Sequence, residues 1–259
     1  MAWWRSWIGV LCLGSYALAI QKQNFTWEKF LLCAPAGVCF GASIGLFFWS
    51  TQVTSLINAS LISALQPLII IFLSYYIFSE KVTSSDIGLS IFSIGGAFII
   101  VLAGTSDGSG KISGDLMALI AITFGAGYFA FAKKALTKLG VAEFMTGYFA
   151  WSGIVLTPMM LISGAGIMPQ NQRDLTHILA VASIPGVGHI LLNFSQGKTP
   201  LRLIGILLLV MPVTATISAV FFLDANISTL KGVGMAIVFA GLGTSSYIRN
   251  KELEKDRSP

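Results

Sequence analysis

The polar side chains that could do chemistry in this chain lie inside apolar stretches, and the most telling of them is a histidine. His189 is followed four residues later by Asn193, and Pro185 and Gly186 come just before the pair. Residues four apart share one face of an α-helix, so the imidazole and the amide would point the same way. An imidazole in so apolar a helix indicates a functional face, either as a hydrogen-bond partner for a bound molecule or as a proton-linked group. The competing interpretation is a hydrogen bond between neighbouring helices.

Amide and aromatic side chains are spaced along three other apolar stretches. Each of them, taken alone, is more typical of packing or of an interface. Together they would line a site suited to a zwitterionic or heteroaromatic metabolite. The candidate binding residues are therefore Trp49, Gln52, Asn58, Gln66 and Tyr128, together with His189 and Asn193.

Two prolines and one glutamate are candidates for hinge or gate positions. Pro67 and Pro212 each interrupt an apolar stretch, where a missing backbone donor can free a carbonyl group or create a hinge. Glu80 follows the stretch that contains Pro67, at a position where a carboxylate could close an inner gate. The alternatives are tolerated prolines and an interfacial charge solvated by lipid headgroups.

The sequence offers little for enzymatic, metal or nucleotide chemistry. His177 and His189 are the two histidines of the chain and would lie roughly 18 Å apart along one helix, without an acidic cluster beside them. The three cysteines lie in apolar stretches and lack metal-ligand spacing. Gly197-Lys198-Thr199 copies the end of a phosphate-binding loop, but the first glycine and the preceding strand of that motif are missing. We predict no enzymatic activity, no metal and no cofactor, and a membrane-embedded enzyme acting on a lipid is the least favoured alternative.

The composition explains what positions these residues. Of 259 residues, 55% are hydrophobic and 10% are charged, whereas soluble domains carry about 25% charged residues. The mean hydropathy is +0.80. Nine apolar runs approach or exceed the length of a helix that crosses roughly 30 Å of hydrocarbon, which predicts an all-α polytopic membrane protein. The predicted spans are A (about 6–20), B (30–50), C (57–78), D (86–104), E (115–132), F (142–162), G (177–194), H (201–223) and I (230–248).

Lysine and arginine residues divide unequally between the two sides that nine spans define. Twelve of the 16 fall on one side, and Arg5, Lys111, Arg173 and Lys231 fall on the other. Because basic residues in short loops are retained in the cytoplasm, the richer side is predicted to be cytoplasmic. The chain is then a multi-pass protein of the plasma membrane with a cytoplasmic C-terminus. Orientation also accounts for the net charge of +5, and we predict no nucleic-acid partner.

Comparison of the chain with itself reveals an internal repeat at an offset of 145 residues. Pro67 aligns with Pro212 and Gly96 with Gly241, without a gap. At this offset, spans B, C and D align with G, H and I, and span A lies near F. Span E has no partner. The pattern implies a repeat of five helices, with nine spans seen of an expected ten. An odd number of helices forces the second copy to be inverted in the membrane. The predicted domains are a first repeat (1–104) that lacks its initial helix, a second repeat (105–248) and a basic tail (249–259).

The residues around this repeat resemble a known family. Gln66-Pro67, then Ser79-Glu80-Lys81-Val82-Thr83 and Gly95-Gly96, resemble the EamA-type pattern of the drug/metabolite transporter superfamily. In that pattern a proline-bearing helix ends in Gly-Glu-X-hydrophobic-Thr, so Ser79 stands where the family has glycine. Trp4-Arg5 is similar to the aromatic-Arg pair that opens the family's second helix, and Gly188-His189 with Asn193 is similar to a pair in a subset of these transporters.

The inverted repeat and the resemblance lead to the same functional expectation. Duplicated inverted halves are the architecture of secondary transporters, which bind a substrate near the bilayer midplane. With the resemblance, this predicts a transporter that exports amino acids or related small metabolites by alternating access. A metabolite importer or a lipid-carrier flippase on the same fold are the alternatives. The expected partners are the small metabolite and the lipid bilayer, and a homodimer is left open.

Overall fold

The computed structural model describes most of the chain, and every regular element in the described residues is an α-helix. The described residues are 2–19, 22, 25–54, 56–103, 111–164, 171–211, 213–214, 217 and 228–255. Their helices are α1 (Ala2–Ala19), α2 (Trp27–Val53), α3 (Leu56–Ser63), α4 (Gln66–Phe78), α5 (Ser84–Leu102), α6 (Ile112–Leu136), α7 (Val141–Ile162), α8 (Gln172–Gln196), α9 (Leu201–Leu208) and α10 (Thr229–Lys255).

Each of the nine predicted apolar spans overlies at least one of these helices. A backbone without access to water must satisfy its polar groups internally, so apolar runs of this length form helices. Three helices, α2, α6 and α7, are long and apolar enough to cross a membrane. Shorter apolar helices run over Gln66–Phe78, Ser84–Ile100 and Thr229–Ser245. The prediction of an all-α polytopic membrane protein is confirmed.

Span C, predicted as one helix, is broken into α3 and α4. Between Ser63 and Gln66 the backbone makes a tight turn, in which the N–H of Leu65 donates to the carbonyl of Ile62 at 3.0 Å. Pro67 has no N–H and cannot donate to the carbonyl four residues before it, so the helix does not continue through this point. The structure thus interrupts span C beside Pro67, the predicted hinge of the first repeat, and the hinge role itself stays a prediction.

The second repeat is interrupted at the equivalent position. Helix α9 ends at Leu208, which lies 145 residues after the last residue of α3. The N–H of Val210 then donates to the carbonyl of Leu207 at 3.1 Å, which is the equivalent of the bond from Leu65 to Ile62 in the first copy. Pro212, the predicted hinge of this half, lies outside the described residues. The repeat seen in the sequence therefore extends to the breaks in the helices.

Helices α5 and α10 are repeat equivalents that pack against each other in antiparallel fashion. A methyl group added to Gly96 would lie 2.8 Å from the carbonyl oxygen of Gly234, so only glycine allows this approach. Gly241, the repeat equivalent of Gly96, approaches the carbonyl of Leu89, which is the equivalent of Gly234. The two contacts are copies related by a pseudo-two-fold axis. This is the symmetry of an inverted repeat.

Helices α1 and α7 form a second antiparallel pair of equivalents. The hydroxyl groups of Ser6 and Ser152 lie 3.4 Å apart, and a methyl group on Gly153 would lie 2.9 Å from the ring of Trp7. Trp7 and Ser152 are equivalent positions at the offset of 145 residues. The pseudo-two-fold axis of this pair therefore passes close to Trp7 and Ser152.

The chain folds into two compact units, and each unit combines helices from both repeats. The first unit comprises Met1–Trp49 and Ile120–Thr199, and the second comprises Ser50–Leu119 and Pro200–Pro259. A core of mainly aliphatic side chains fills the second unit, with Ile71, Ile94, Ile100, Leu209 and Val238 among its members. The largest fully buried side chains of the first unit are instead aromatic, namely Tyr128, Tyr148, Phe144 and Phe149.

Candidate functional site

A cluster of aromatic rings surrounds Phe40 in the first unit. The ring centroid of Phe40 lies 4.9 Å from that of Tyr128, 5.2 Å from that of Tyr148 and 5.2 Å from that of His189. These three residues come from α6, α7 and α8, while Phe40 belongs to α2. Four helices thus place their side chains at one point, which we call the Phe40 cluster.

Small residues on α2 make this convergence possible. A methyl group on Gly41 would lie 3.0 Å from the carbonyl oxygen of Ser152, and one on Gly37 would lie 2.6 Å from the carbonyl oxygen of Tyr148. Helices α2 and α7 therefore pack with their backbones nearly in contact. This packing buries Phe40, which is 7% exposed.

Three of the residues predicted to bind substrate meet at this cluster. The hydroxyl of Tyr128 donates to Oδ1 of Asn193 at 3.0 Å, and Nδ2 of Asn193 donates to the carbonyl of His189 at 2.8 Å. Asn193 is fully buried and makes the bond between helices that was the competing interpretation. Nδ1 of His189 is buried and has no hydrogen-bond partner among the described residues. Asn193 holds Tyr128 in place, whereas His189 keeps a ring nitrogen for another group.

Arg5 is part of the Phe40 cluster, and the sequence analysis missed it. Its guanidinium carbon lies 5.3 Å from the centroid of the Phe40 ring. The atoms Nε and Nη2 are buried and have no hydrogen-bond acceptor among the described residues. From the sequence, Arg5 is predicted to be one of the four basic residues on the outer side, because it precedes the first apolar span. Its pairing with Trp4, which resembles a family motif, was the signal that could have pointed to it.

The predicted binding residue Asn58 belongs to a different polar group, in the second unit. Its Nδ2 donates to the carboxylate of Asp115 at 3.3 Å, and the hydroxyl of Thr54 donates to the same carboxylate. Asp115 lies in the first turn of α6, where a negative charge is favourable. These bonds join the end of α2, the start of α3 and the start of α6.

The remaining predicted binding residues are Trp49, in the first unit, and Gln52 and Gln66, in the second. Trp49 and Gln52 lie three residues apart near the end of α2. The indole of Trp49 is 42% exposed, and Gln52 is exposed as well. Gln66 opens α4 directly after the break, beside Pro67, which is buried. Gly205 of α9 packs against this start, since a methyl group there would lie 3.2 Å from the carbonyl of Pro67. The structure thus places the predicted hinge of the first repeat at a close helix contact.

Glu80, predicted as a gate residue, binds the start of α9. Its two carboxylate oxygens accept hydrogen bonds from the backbone N–H groups of Leu201 at 2.8 Å and Arg202 at 3.1 Å. Arg202 in turn forms an ion pair with Asp86 at 2.7 Å, and Asp86 accepts a bond from the N–H of Thr83 at the start of α5. A motif of the first repeat therefore caps a helix of the second.

The backbone of Ser79, the residue before Glu80, shows why the family pattern has glycine at this position. Ser79 ends α4 in the left-handed conformation, with φ of 50° and ψ of 31°. Glycine adopts this conformation without steric cost, which is a physical reason for the glycine that the family pattern has there.

No group of three or more His, Cys, Asp or Glu side chains that could hold a metal ion occurs in the described ranges. The chemistry that the Phe40 cluster offers is recognition: a cation, an imidazole nitrogen and aromatic faces within one buried region.

Comparisons with known proteins agree with this fold. The sequence profile of the EamA-like transporter family matches residues 1–102 and residues 112–247. No curated protein matches the chain. Among 29 matching chains of known structure, one described only as the crystal structure of a protein has a TM-score of 0.80 and 17% sequence identity. The match covers 95% of this chain and 86% of that one, and at this identity it shows the fold alone. The two family matches together span nearly all of the sequence, and the chain belongs to the EamA-like transporter family.

Proposed function

We propose that this transporter exports amino acids or related small metabolites across the plasma membrane by alternating access, with its C-terminus in the cytoplasm. The observation that carries the proposal is the Phe40 cluster, where Nδ1 of His189 is buried and keeps its hydrogen-bonding capacity open. A buried polar atom without a partner is costly, so a group that binds there intermittently would account for it.

The inverted repeat supports alternating access. Transporters with this symmetry bind their substrate near the midplane and rock one part against another around it. The antiparallel pairs α1 with α7 and α5 with α10 are related in this way within their units. The breaks after α3 and α9 are of the kind that inverted-repeat transporters have near their substrate sites.

The side chains of the cluster favour a small zwitterionic or heteroaromatic metabolite. Phe40, Tyr128 and Tyr148 offer aromatic faces that suit an ammonium group or a flat ring. His189 offers a directed hydrogen bond, which fixes orientation in otherwise apolar sites. Export is the direction that the resemblance implies.

Metabolite release into the medium tests this proposal. Cells would express the parent chain, the His189→Ala variant, the His177→Ala variant or an empty vector, at equal amounts of protein in the membrane. His177 is a matched control because it is exposed on the same helix, α8. We expect a small amino-acid-like metabolite to accumulate with the parent and with His177→Ala, and to fall by about fivefold or more with His189→Ala, as for the loss of one buried hydrogen bond.

Other outcomes would contradict the proposal in distinct ways. Depletion of a metabolite from the medium would indicate uptake. Equal loss of export in both histidine variants would mean that the cluster has no special role. No change in any soluble metabolite, with a change in lipid-linked carriers, would favour the flippase. The buried guanidinium of Arg5 is the one observation that supports that alternative, because flippases recognise anionic headgroups.

A further inference from the structure

We propose that Arg5 binds a carboxylate of the transported molecule near the bilayer midplane, so that the substrates are small, aromatic-compatible monocarboxylates. This inference rests on the proposed function and makes its substrate class specific. It depends on the depth of Arg5, on the open edge of its guanidinium group and on the rings around it.

The depth of Arg5 follows from the symmetry of α1 and α7. Their pseudo-two-fold axis passes near Trp7 and Ser152, and the axis of an inverted repeat lies in the plane of the membrane. Ser152 also lies near the middle of α7, which is long enough to span a bilayer. Arg5 is two residues from Trp7, or about 3 Å along the helix. The guanidinium group is thus anchored close to the midplane, although Arg5 comes at the start of α1.

The open edge of Arg5 has the shape that recognises a carboxylate. Nε and Nη2 form one side of the planar guanidinium group, and both are buried without an acceptor in the described structure. Two parallel N–H donors match the two oxygens of a carboxylate in a bidentate pair. A charge inside a membrane is costly unless it is paired, so residues of this kind mark substrate or ion pathways. The missing partner is therefore an anion that arrives with the substrate.

The surroundings favour one charge and an apolar body for that anion. The guanidinium carbon lies 5.3 Å from the centroid of the Phe40 ring, and Tyr128 and Tyr148 flank Phe40. One cation among aromatic rings balances one negative charge, whereas a lipid diphosphate brings more. Aromatic walls favour a flat or apolar body next to the carboxylate. A monocarboxylate with such a body fits these features better than a phosphate ester does.

Thermal unfolding of the purified full chain in detergent tests the assignment without knowledge of the natural substrate. The probes are sodium benzoate, benzamide as its neutral isostere, inorganic phosphate, and sodium chloride at matched ionic strength. The proteins are the parent, Arg5→Met, and Arg173→Met, which removes an exposed arginine at the start of α8. Of the four probes, we expect only benzoate to stabilise the parent and the Arg173→Met control. The Kd for benzoate should be at least about tenfold higher in Arg5→Met, as for a lost charged hydrogen-bond pair.

Several results would overturn the assignment. One is that benzoate stabilises Arg5→Met as much as the parent, and another is that benzamide stabilises the parent as much as benzoate does. A third is that no anion stabilises the parent. The last is that phosphate stabilises the parent and benzoate does not, which would assign the site to a headgroup. If Arg5→Met does not fold, Arg5→Lys retains the charge without the two-donor edge, and unchanged benzoate affinity in it would refute the bidentate pair.

The test separates this inference from the proposed function. If the parent chain exports nothing yet binds benzoate through Arg5, the anion site stands and export by this chain is refuted. If carboxylic metabolites leave cells equally with the parent and with Arg5→Met, export stands and the assignment of Arg5 fails.

Discussion

Removal of the Glu80 carboxylate should lower the free energy of unfolding of the second unit, because Glu80 caps helix α9. The two oxygens accept bonds from the first two N–H groups of α9, at 2.8 and 3.1 Å. Helix α9 starts after Pro200, whose side chain provides no capping bond. In Glu80→Ala these N–H groups would lose their acceptor, and the negative charge at the positive end of the helix dipole would disappear.

The expected magnitude follows from these two bonds. Hydrogen bonds to charged groups contribute about 1.5–3 kcal/mol each when buried, and Glu80 is partly exposed, so we expect a total loss of about 2–3 kcal/mol. In a chain of this size, this corresponds to a fall of about 4–12 °C in unfolding temperature. Glu80→Gln retains an uncharged acceptor and should lose about half as much, since charge-assisted bonds are roughly twice as strong as neutral ones.

The measurement is thermal unfolding of the purified chain in detergent, followed by tryptophan fluorescence. Glu28→Ala is the matched control, because Glu28 is an exposed acid in the first turn of α2. An effect below about 1 kcal/mol is expected there from the helix dipole alone. Export should be measured in parallel and divided by the amount of folded protein.

Two results would refute this reasoning. If Glu80→Ala unfolds within 1 °C of the parent, the bonds to α9 contribute no appreciable stability, because a loss of 1 kcal/mol lowers the unfolding temperature by about 2–4 °C. If Glu80→Ala and Glu28→Ala lose the same amount, the effect is not specific to the cap. The gate role of Glu80 remains a prediction, and a change in export per folded molecule would support it independently of stability.

Two further predictions concern packing and topology. Gly96→Ala should destabilise the chain by about 1–3 kcal/mol, because the added methyl group would lie 2.8 Å from the carbonyl oxygen of Gly234. In the control Gly95→Ala the methyl group meets nothing within 4 Å, so this variant should be neutral or stabilising. The same unfolding temperature for both variants would contradict the close contact. Reporter domains fused after Arg173 and after Lys251 should report opposite sides of the membrane, because three predicted spans separate them; activity of both reporters on the same side would contradict the predicted span count.

The first unit combines parts of both repeats, and this arrangement gives the Phe40 cluster its composition. Arg5 and Phe40 come from the first repeat, whereas Tyr128, Tyr148 and His189 come from the second. A site made from one repeat alone would lack either the cation or the imidazole. Distant segments of the sequence must therefore fold together before the cluster exists.

Much of the architecture could be predicted from the sequence because the membrane leaves few choices. Apolar runs without charge must become helices, and the offset of 145 residues, with an odd number of helices per copy, requires inversion. Both predictions are confirmed by the helices and by the symmetric contacts of Gly96 and Gly241. The motif around Glu80 also pointed to the correct family.

The candidate site was predictable only in part. The spacing of His189 and Asn193 indicated a shared helix face, and the structure places both at the Phe40 cluster together with Tyr128. The binding roles of these residues remain predictions, and so do the binding roles of Trp49 and Gln52. Pro67 pointed to an interruption of span C, and the turn before Pro67 shows that the helix does not continue through this proline.

The sequence by itself determined the helices, the inversion and the family, because these depend on local hydropathy and on a repeat that can be read along the chain. Tertiary structure alone decided the neighbours of Arg5 and the partner of Glu80. Arg5 comes at the head of its own helix, and only the packing of helices within the first unit brings it beside Phe40. Glu80 caps a helix that begins 121 residues later. Such relations depend on which helices become neighbours, and that choice is made by packing between residues far apart in sequence.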